Sequence, residues 1–149
     1  MNISTRGRYG LRALTDMALH ATEDPLAIRI IAERQNISES YLEQVFSTLR
    51  KAGIVRSVRG SQGGYEFNRP IHEITIGEIL RILEGSITPV HCVDTLTPGA
   101  GCEMEKTCIT RPFWEEMRDV INQFLDRTTL KDVVDKAPLA ANKLPMFYI

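Results

Sequence analysis

Apolar positions along the first eighty-five residues follow a helical period, switch to strict alternation, and then return to the helical period. Between Thr5 and Ala21, Leu11, Leu14, Met17, Ala18 and Ala21 fall on one face and Arg6, Arg8 and Arg12 on the other, which predicts a first helix. Asp24-Pro25 ends it by turn chemistry. Ile28, Ile31 and Ala32 then share a face of a short second helix closing at Gln35-Asn36, where asparagine tolerates the left-handed exit. Ser38 or Ser40 caps a third helix, with Ser40 three residues before Glu43 in capping-box register. Tyr41, Leu42, Val45, Phe46 and Leu49 form its apolar face, and Gly53 closes it. Two helices joined by about four residues have the spacing of a helix-turn-helix, whose second helix enters the major groove. The same spacing also serves plain helical packing.

The alternating segment separates these readings. Ile54 to Arg59 alternates at strand period, Gly60-Ser61-Gln62-Gly63-Gly64 is a turn, and Tyr65-Glu66-Phe67 resumes the alternation. A hairpin directly after a recognition helix makes a winged helix. Its glycine-rich tip beside Arg56 and Arg59 suits approach to phosphates or a minor groove. Thr75-Ile76-Gly77-Glu78 reads as a second capping box and opens a fourth helix that ends at Gly85. Residues 86–108 carry Pro89, Pro98, Gly99 and Gly101 without periodicity and read as a long loop, a class that is usually functional or disordered. Thr110 then caps a helix with Pro112 in its first turn; Phe113, Met117, Val120 and Phe124, with Trp114, Ile121 and Leu125 alongside, give a stripe too broad for one side of a small domain. That surface suits packing against a second copy, through Phe113, Trp114, Met117, Val120, Ile121 and Phe124. A last helix begins at Thr129, with Asp132 at its third position, before a tail ending Met146-Phe147-Tyr148-Ile149.

The expected fold is mainly α with a small β-hairpin wing. A winged helix-turn-helix domain covers 1–85, a cysteine-bearing loop 86–109, a dimerisation helix 110–128, and a short helix and tail 129–149. At 149 residues, 43% apolar and 25% charged, the composition is that of a globular protein of about one domain. The sequence shows no membrane-length apolar run and no apolar signal core, so a cytoplasmic location is expected, with no membrane partner. The net charge of −1 hides an asymmetry: residues 1–70 carry 10 Lys and Arg against 7 Asp and Glu, while residues 71–149 carry 8 against 12. A basic front on an acidic back suits a nucleic-acid reader with a separate regulatory half.

On the third helix the outward stripe is Ser40, Gln44, Ser47 and Lys51, with Glu43 beside it. Gln pairs with adenine in the major groove and Ser with several base edges; Glu accepts from cytosine N4 and repels other edges, which makes it a filter. Arg50, Lys51, Arg56 and Arg59, with the backbone at Gly60, are candidates for phosphate or groove contacts. The partner expected is double-stranded DNA with a palindromic operator, read by a homodimer.

The three cysteines, Cys92, Cys102 and Cys108, follow Cys-x9-Cys-x5-Cys in one loop just before a helix. An odd number within so short a window argues against a disulfide-stapled secreted domain. Three thiolates from one loop satisfy three corners of an iron–sulfur cluster or of a zinc site. Zinc sites usually bring cysteines in closer pairs, which favours a cluster, and a metal-free thiol switch is the third possibility. An enzyme with a reactive cysteine would lack an evident base and leave the hairpin unexplained.

Asn2-Ile3-Ser4-Thr5-Arg6-Gly7-Arg8-Tyr9-Gly10, Ile37-Ser38-Glu39-Ser40-Tyr41-Leu42-Glu43-Gln44-Val45-Phe46, Leu49-Arg50-Lys51-Ala52-Gly53 and Val58-Arg59-Gly60-Ser61-Gln62-Gly63-Gly64-Tyr65 resemble the IscR/NsrR family of winged-helix regulators, its IscR members most of all. Cys108-Ile109-Thr110 followed by Phe113-Trp114 resembles the start of that family's dimerisation helix. The resemblance implies a non-enzymatic, homodimeric transcription regulator, acting as a repressor and redox sensor. It would sense iron–sulfur status, with cluster assembly genes as targets, through a labile [2Fe-2S] cluster, or a [4Fe-4S] cluster, on Cys92, Cys102 and Cys108. It also implies that Glu43 is the filter and that Ser40, Gln44 and Arg59 match DNA-contacting positions. The alternative reading is a metal-free regulator of cysteine or sulfur metabolism controlled by thiols or a partner. The sequence departs from the family's pattern in three places. The first cysteine gap is longer, Arg111 stands at the IscR-type histidine ligand three residues after Cys108, and Arg8 stands at the NsrR-type carboxylate. Arginine cannot ligate iron. The fourth ligand is therefore open among His91, Asp94, Glu103, Glu105, a small thiol or water, with His91 the candidate beside Cys92.

Overall fold

The computed structural model describes residues 2–97 and 102–138. The element order is α1 (Thr5–Leu19), α2 (Ile28–Gln35), α3 (Glu39–Lys51), β1 (Val55–Val58), β2 (Gly64–Phe67), α4 (Ile76–Glu84), a 3-10 turn (His91–Val93), α5 (Arg111–Arg127) and α6 (Leu130–Asp135). Pro98, Gly99 and Gly101 of the long loop and the Met146 to Ile149 tail lie outside the described residues. Among the described residues no helix is long and apolar enough to cross a membrane.

Side-chain caps set the starts of α1, α3, α4 and α6. Ser4 accepts from the Arg6 and Gly7 amides, and the Glu84 carboxylate at the end of α4 takes both the Ser4 hydroxyl (2.6 Å) and the Gly7 amide (2.7 Å). This fastens α1 to α4. The two helices cross so closely that a Cβ on Gly10 would lie 2.4 Å from Leu83 Cδ1. Helix α1 ends at Leu19, two residues before the expected Ala21, because His20 leaves helical geometry. Asn36 takes the left-handed conformation (φ 52°) that turns the chain from α2 into α3.

Two capping expectations are corrected. Ser38 caps α3 by accepting from the Tyr41 amide (3.2 Å), while Ser40 turns its hydroxyl to Ser38; the Ser40–Glu43 box does not form. On α4, Thr75 accepts from the Glu78 amide, but the Glu78 carboxylate pairs with Arg69 instead of closing the box. A complete capping box does form at Thr129 and Asp132 on α6.

The wing is an antiparallel pair in the register Val55↔Phe67, Arg56↔Glu66, Ser57↔Tyr65 and Val58↔Gly64. Its outer edge is extended by Leu26, whose backbone exchanges two 2.9 Å hydrogen bonds with Tyr65. A Cβ on Gly64 would sit 2.5 Å from the Leu26 carbonyl, so glycine is what lets the segment before α2 reach the sheet.

One core joins these parts. Leu14, Ile31, Leu42, Val45, Phe46, Leu49, Ile54, Ile74, Ile79 and Leu130 are buried within it, so all six helices but α5 contribute buried apolar side chains. Phe46 also meets Tyr65 edge-on at 5.1 Å, which ties the third helix to the wing. The buried charge is Asp16, 2% exposed; it receives Arg34 through both carboxylate oxygens and Gln35 at 2.8 Å, which binds α1 to α2.

Helix α5 is anchored at its far end. Arg81 of α4 donates to Asp126 (2.6 Å) and Asn122 (2.8 Å), and the backbone amides of Ile76 and Leu130 bond across to Thr128 and Ile74. Ile121 and Leu125 pack on the core, whereas Phe113, Met117, Val120 and Phe124 lie exposed along the opposite face.

Candidate DNA interface and cysteine site

Helix α3 presents Ser40, Glu43, Gln44, Arg50 and Lys51 exposed and Ser47 half-buried, because the opposite face carries Leu42, Val45, Phe46 and Leu49 into the core. The Ser38 cap fixes its first turn and leaves the Glu43 carboxylate at the surface. Ser40, Glu43, Gln44, Ser47 and Lys51 line one shallow concavity with Arg6. Arg6 donates to Thr48 at 2.7 Å, so the first helix sends a cation to the edge of the third. A second concavity lies between Glu39, Glu43, Ser47 and Arg50 and the wing at Gly63–Tyr65.

The basic side chains are not equivalent. Arg56 is paired across the hairpin with Glu66 (2.8 Å), the residue opposite it in the register. Arg50 lies within 3.5 Å of the Ser57 hydroxyl, bridging α3 to β1. Arg59 and Gly60 are exposed at the wing tip, where Gly60 adopts φ 122° with open space around it. Such a tip offers backbone amides and a guanidinium to a nucleic-acid surface.

The cysteine site forms where α5 begins. The sequence pattern predicts an irregular 86–108, but His91–Val93 is a 3-10 turn, and Val93 is buried at 1% exposure. Asp94 organises the stretch after this turn by accepting from Ser86 (2.6 Å), the Leu96 amide (2.8 Å) and Thr97 (2.9 Å). These bonds, that of Ser86 foremost, hold its carboxyl below the usual carboxylate range. Asp94 is thus committed to the loop.

Arg111 is the hub. Its guanidinium donates to the Cys92 carbonyl (3.1 Å), pairs with Glu105 (3.3 Å) and pairs with Glu115 (2.8 Å). Its own amide bonds the Cys108 carbonyl, and Glu105 closes a turn on the Cys102 carbonyl. All three cysteine-bearing stretches therefore meet one residue. Glu105 is held by this cation, while His91 is exposed next to Cys92.

Thr110, expected as a helix cap, makes no capping hydrogen bond. Its hydroxyl lies 3.4 Å from Cys108 Sγ instead. Hydrogen bonding from Thr110, its side chain first, supported by the Arg111 amide and charge, holds the Cys108 thiol below its ordinary value. All three cysteines are free and half-buried. Among the described residues no three His, Cys, Asp or Glu side chains stand as a ready-made metal group. The donor chemistry nevertheless fits three corners of an iron–sulfur cluster, with three free thiols on stretches whose backbone meets Arg111 directly or through Glu105. The residue that the sequence pattern did not flag is Arg118. It donates to the Val93 carbonyl at 3.0 Å one two-turn step beyond Arg111, and the seven-residue spacing is the signal that could have identified it.

The chain is similar to known proteins along most of its length. The chain is 40% identical over 149 residues to the HTH-type transcriptional regulator CymR of Bacillus subtilis, covering 100% of both. It is 39% identical over 135 residues to the HTH-type transcriptional regulator IscR of Pectobacterium carotovorum, covering 91% of this chain and 80% of that one. The structure of CymR, the global cysteine regulator of B. subtilis, superposes with a TM-score of 0.79 at 39% identity, covering 93% of this chain and 99% of that one. T. potens IscR superposes at 0.73 with 39% identity, covering 99% and 97%. These relatives carry the winged-helix architecture, and those named are transcriptional regulators rather than enzymes. Residues 3–136 match the Rrf2 family, described as iron-dependent transcriptional regulator, and with helix, wing and cysteine-loop segment all inside that span the chain belongs to the Rrf2 family.

Proposed function

We propose that this transcriptional regulator binds operator DNA as a homodimer and reports iron–sulfur cluster status through Cys92, Cys102 and Cys108. The observation that carries the reading is the convergence of all three cysteine stretches on Arg111 at the start of α5. Helix α3 supplies the groove-reading face, with Gln44 and Ser40 as contacts and Glu43 as filter, and Arg59 and Lys51 supply charge to the phosphates. The exposed stripe Phe113, Met117, Val120 and Phe124 supports dimerisation, which sets two recognition helices for half-sites about 34 Å apart. A cluster held by the three thiolates supplies a labile, redox-sensitive occupant. Arg111 cannot complete its ligand set. His91 supports the fourth position by lying exposed beside Cys92. Genes for iron–sulfur cluster assembly are the matching target class, with repression as the default action.

A second reading has its own support. The similarity to CymR runs the full length of both chains, and the lowered Cys108 thiol is suited to metal-free thiol control of cysteine or sulfur metabolism.

One experiment separates the two. Protein purified without oxygen is assayed for iron, sulfide, visible absorption and EPR, and its operator affinity is measured with the cluster present and removed. A chromophore with stoichiometric iron and sulfide, and an affinity that follows it, is the expected result. Iron-free protein after reconstitution, with DNA binding that responds to thiol oxidation, overturns the cluster reading in favour of the second.

A further inference from the structure

The cysteine loop is fastened to α5 by more than the hub residue. Arg111 donates to the carbonyl of Cys92 (3.1 Å), and Arg118, two turns further along the same face, donates to the carbonyl of the next residue, Val93 (3.0 Å). Both guanidinium groups are held in place by carboxylates, Arg111 by Glu105 and Glu115, and Arg118 by Asp119 (2.7 Å). Val93 itself is buried. Ion pairing between neighbours on a helix would account for the carboxylate contacts alone. It does not account for two arginines reaching sideways to successive carbonyls of a 3-10 turn, one of them belonging to a cysteine.

We propose that Arg111 and Arg118 form a clamp that transmits a change at Cys92 to α5, the helix whose other face carries the exposed apolar stripe. The two are positioning residues, whose contacts are with backbone carbonyls and carboxylates of this chain. The inference deepens the sensor reading, since it shares the premise that the cysteine loop carries the signal. It does not depend on whether that signal is a cluster or a modified thiol. A guanidinium offers several donors in a fixed plane, so Arg111 grips the Cys92 carbonyl and two carboxylates at once and moves with all three. When the 3-10 turn shifts, the start of α5 shifts with it, while the far end stays bolted to α4 through Arg81.

The chain carries its own reporter. Its one tryptophan, Trp114, lies on α5 three residues after Arg111, edge-on to Phe113 at 4.9 Å. In full-length protein bearing Cys102→Ser and Cys108→Ser, Cys92 is the remaining thiol. N-ethylmaleimide adds to it, the sulfur bonding one alkene carbon and the thiol proton passing to the other. The expected result is a shift in Trp114 emission and a change of about tenfold in operator affinity. Adding Arg111→Gln and Arg118→Gln should abolish both differences between modified and free protein. Emission and affinity changes that persist in the double arginine variant overturn the clamp, as does the absence of any change in its parent. Far-UV circular dichroism checks the fold. Should the double variant unfold, Arg118→Gln alone, which keeps every Arg111 contact, must reduce the shift, and an undiminished shift overturns the clamp equally. Iron and sulfide assays on the unaltered protein report on the cluster separately, so failure of that reading is read independently of this one.

Discussion

Replacing Asp16 by alanine tests how the recognition helix is held in place. Asp16 is 2% exposed, and its carboxylate takes Arg34 through three contacts of 2.5–3.0 Å and Gln35 at 2.8 Å. These bonds join α1 to the end of α2, immediately before the Asn36 exit into α3. Truncating one member of a buried pair leaves the other charge without its partner, at a cost of about 3–5 kcal/mol. The Arg34 side chain is 19% exposed and can swing part of its charge to water, which places the expected loss near the bottom of that range, about 3 kcal/mol. For a chain of this size that corresponds to a fall in Tm of roughly 10 °C. The assay is urea and thermal unfolding followed by far-UV circular dichroism at fixed protein concentration, since the proposed dimerisation would make apparent stability concentration-dependent. Asp16→Asn keeps the shape and one acceptor and should lose about half as much. Arg34→Met in the Asp16→Ala background should recover part of the loss, because the stranded cation is removed. A loss under about 1 kcal/mol for Asp16→Ala would refute this account and mark the pair as equivalent to a surface salt bridge.

Four further outcomes are expected. Arg59→Ala should weaken binding on every DNA sequence and lower the salt slope by about 0.9 for each phosphate no longer neutralised, read by fluorescence anisotropy across a salt series; Arg56→Ala should do less, since Arg56 is paired with Glu66. Glu43→Ala should raise affinity for non-operator sequences while operator binding is retained, and an equal loss on all sequences would rule out its filter role. Val120→Glu or Phe124→Glu, at positions 60% and 63% exposed, should leave the winged domain folded and give monomers in sedimentation equilibrium. The Asp132 carboxyl is held below its usual value, chiefly by the Thr129 amide and then by its hydroxyl, so its contribution is present above the ordinary carboxylate range and lost as pH falls through the lowered value. Asp132→Asn should therefore reduce Tm at neutral pH, and the difference should vanish in strong acid.

The hydrophobic period made the helices and the wing legible, because burial of one face is the dominant local constraint. The buried residues of α3 are four of the five apolar-face positions read from sequence, Tyr41 being half-buried. Caps were less legible. A serine at 38 and another at 40 offer the same hydroxyl, and only the entry path of the chain decides between them. Long-range polar contacts were not legible at all: that Glu66 neutralises Arg56 follows from strand register, and that Leu26 pairs with Tyr65 follows from a close approach at Gly64. The same holds at the cysteine loop. Arg111 is readable from sequence as a residue unable to ligate iron, and its contacts with the Cys92 carbonyl, Glu105 and Glu115 emerge only once the loop is folded back on α5.

Where the loop attaches determines what it can control. Helix α5 has 17 residues and is about 25 Å long at 1.5 Å per residue. Its last turns are fixed to α4 by Arg81, and α4 in turn packs on α1 and α3 and holds the start of α1 through Glu84. Its first turn is fixed to the cysteine stretches by Arg111. Rotating a rod of that length by about 5° about its anchored end moves the free end about 2 Å, the scale of helix shifts that separate regulatory states at subunit interfaces. Because Phe113 lies at the free end of the exposed stripe and Phe124 near the anchored end, such a rotation displaces one end of the stripe far more than the other. On the proposed dimer this changes the angle between subunits rather than the fold of either. Two recognition helices could then gain or lose register with successive half-sites while each winged domain keeps its structure.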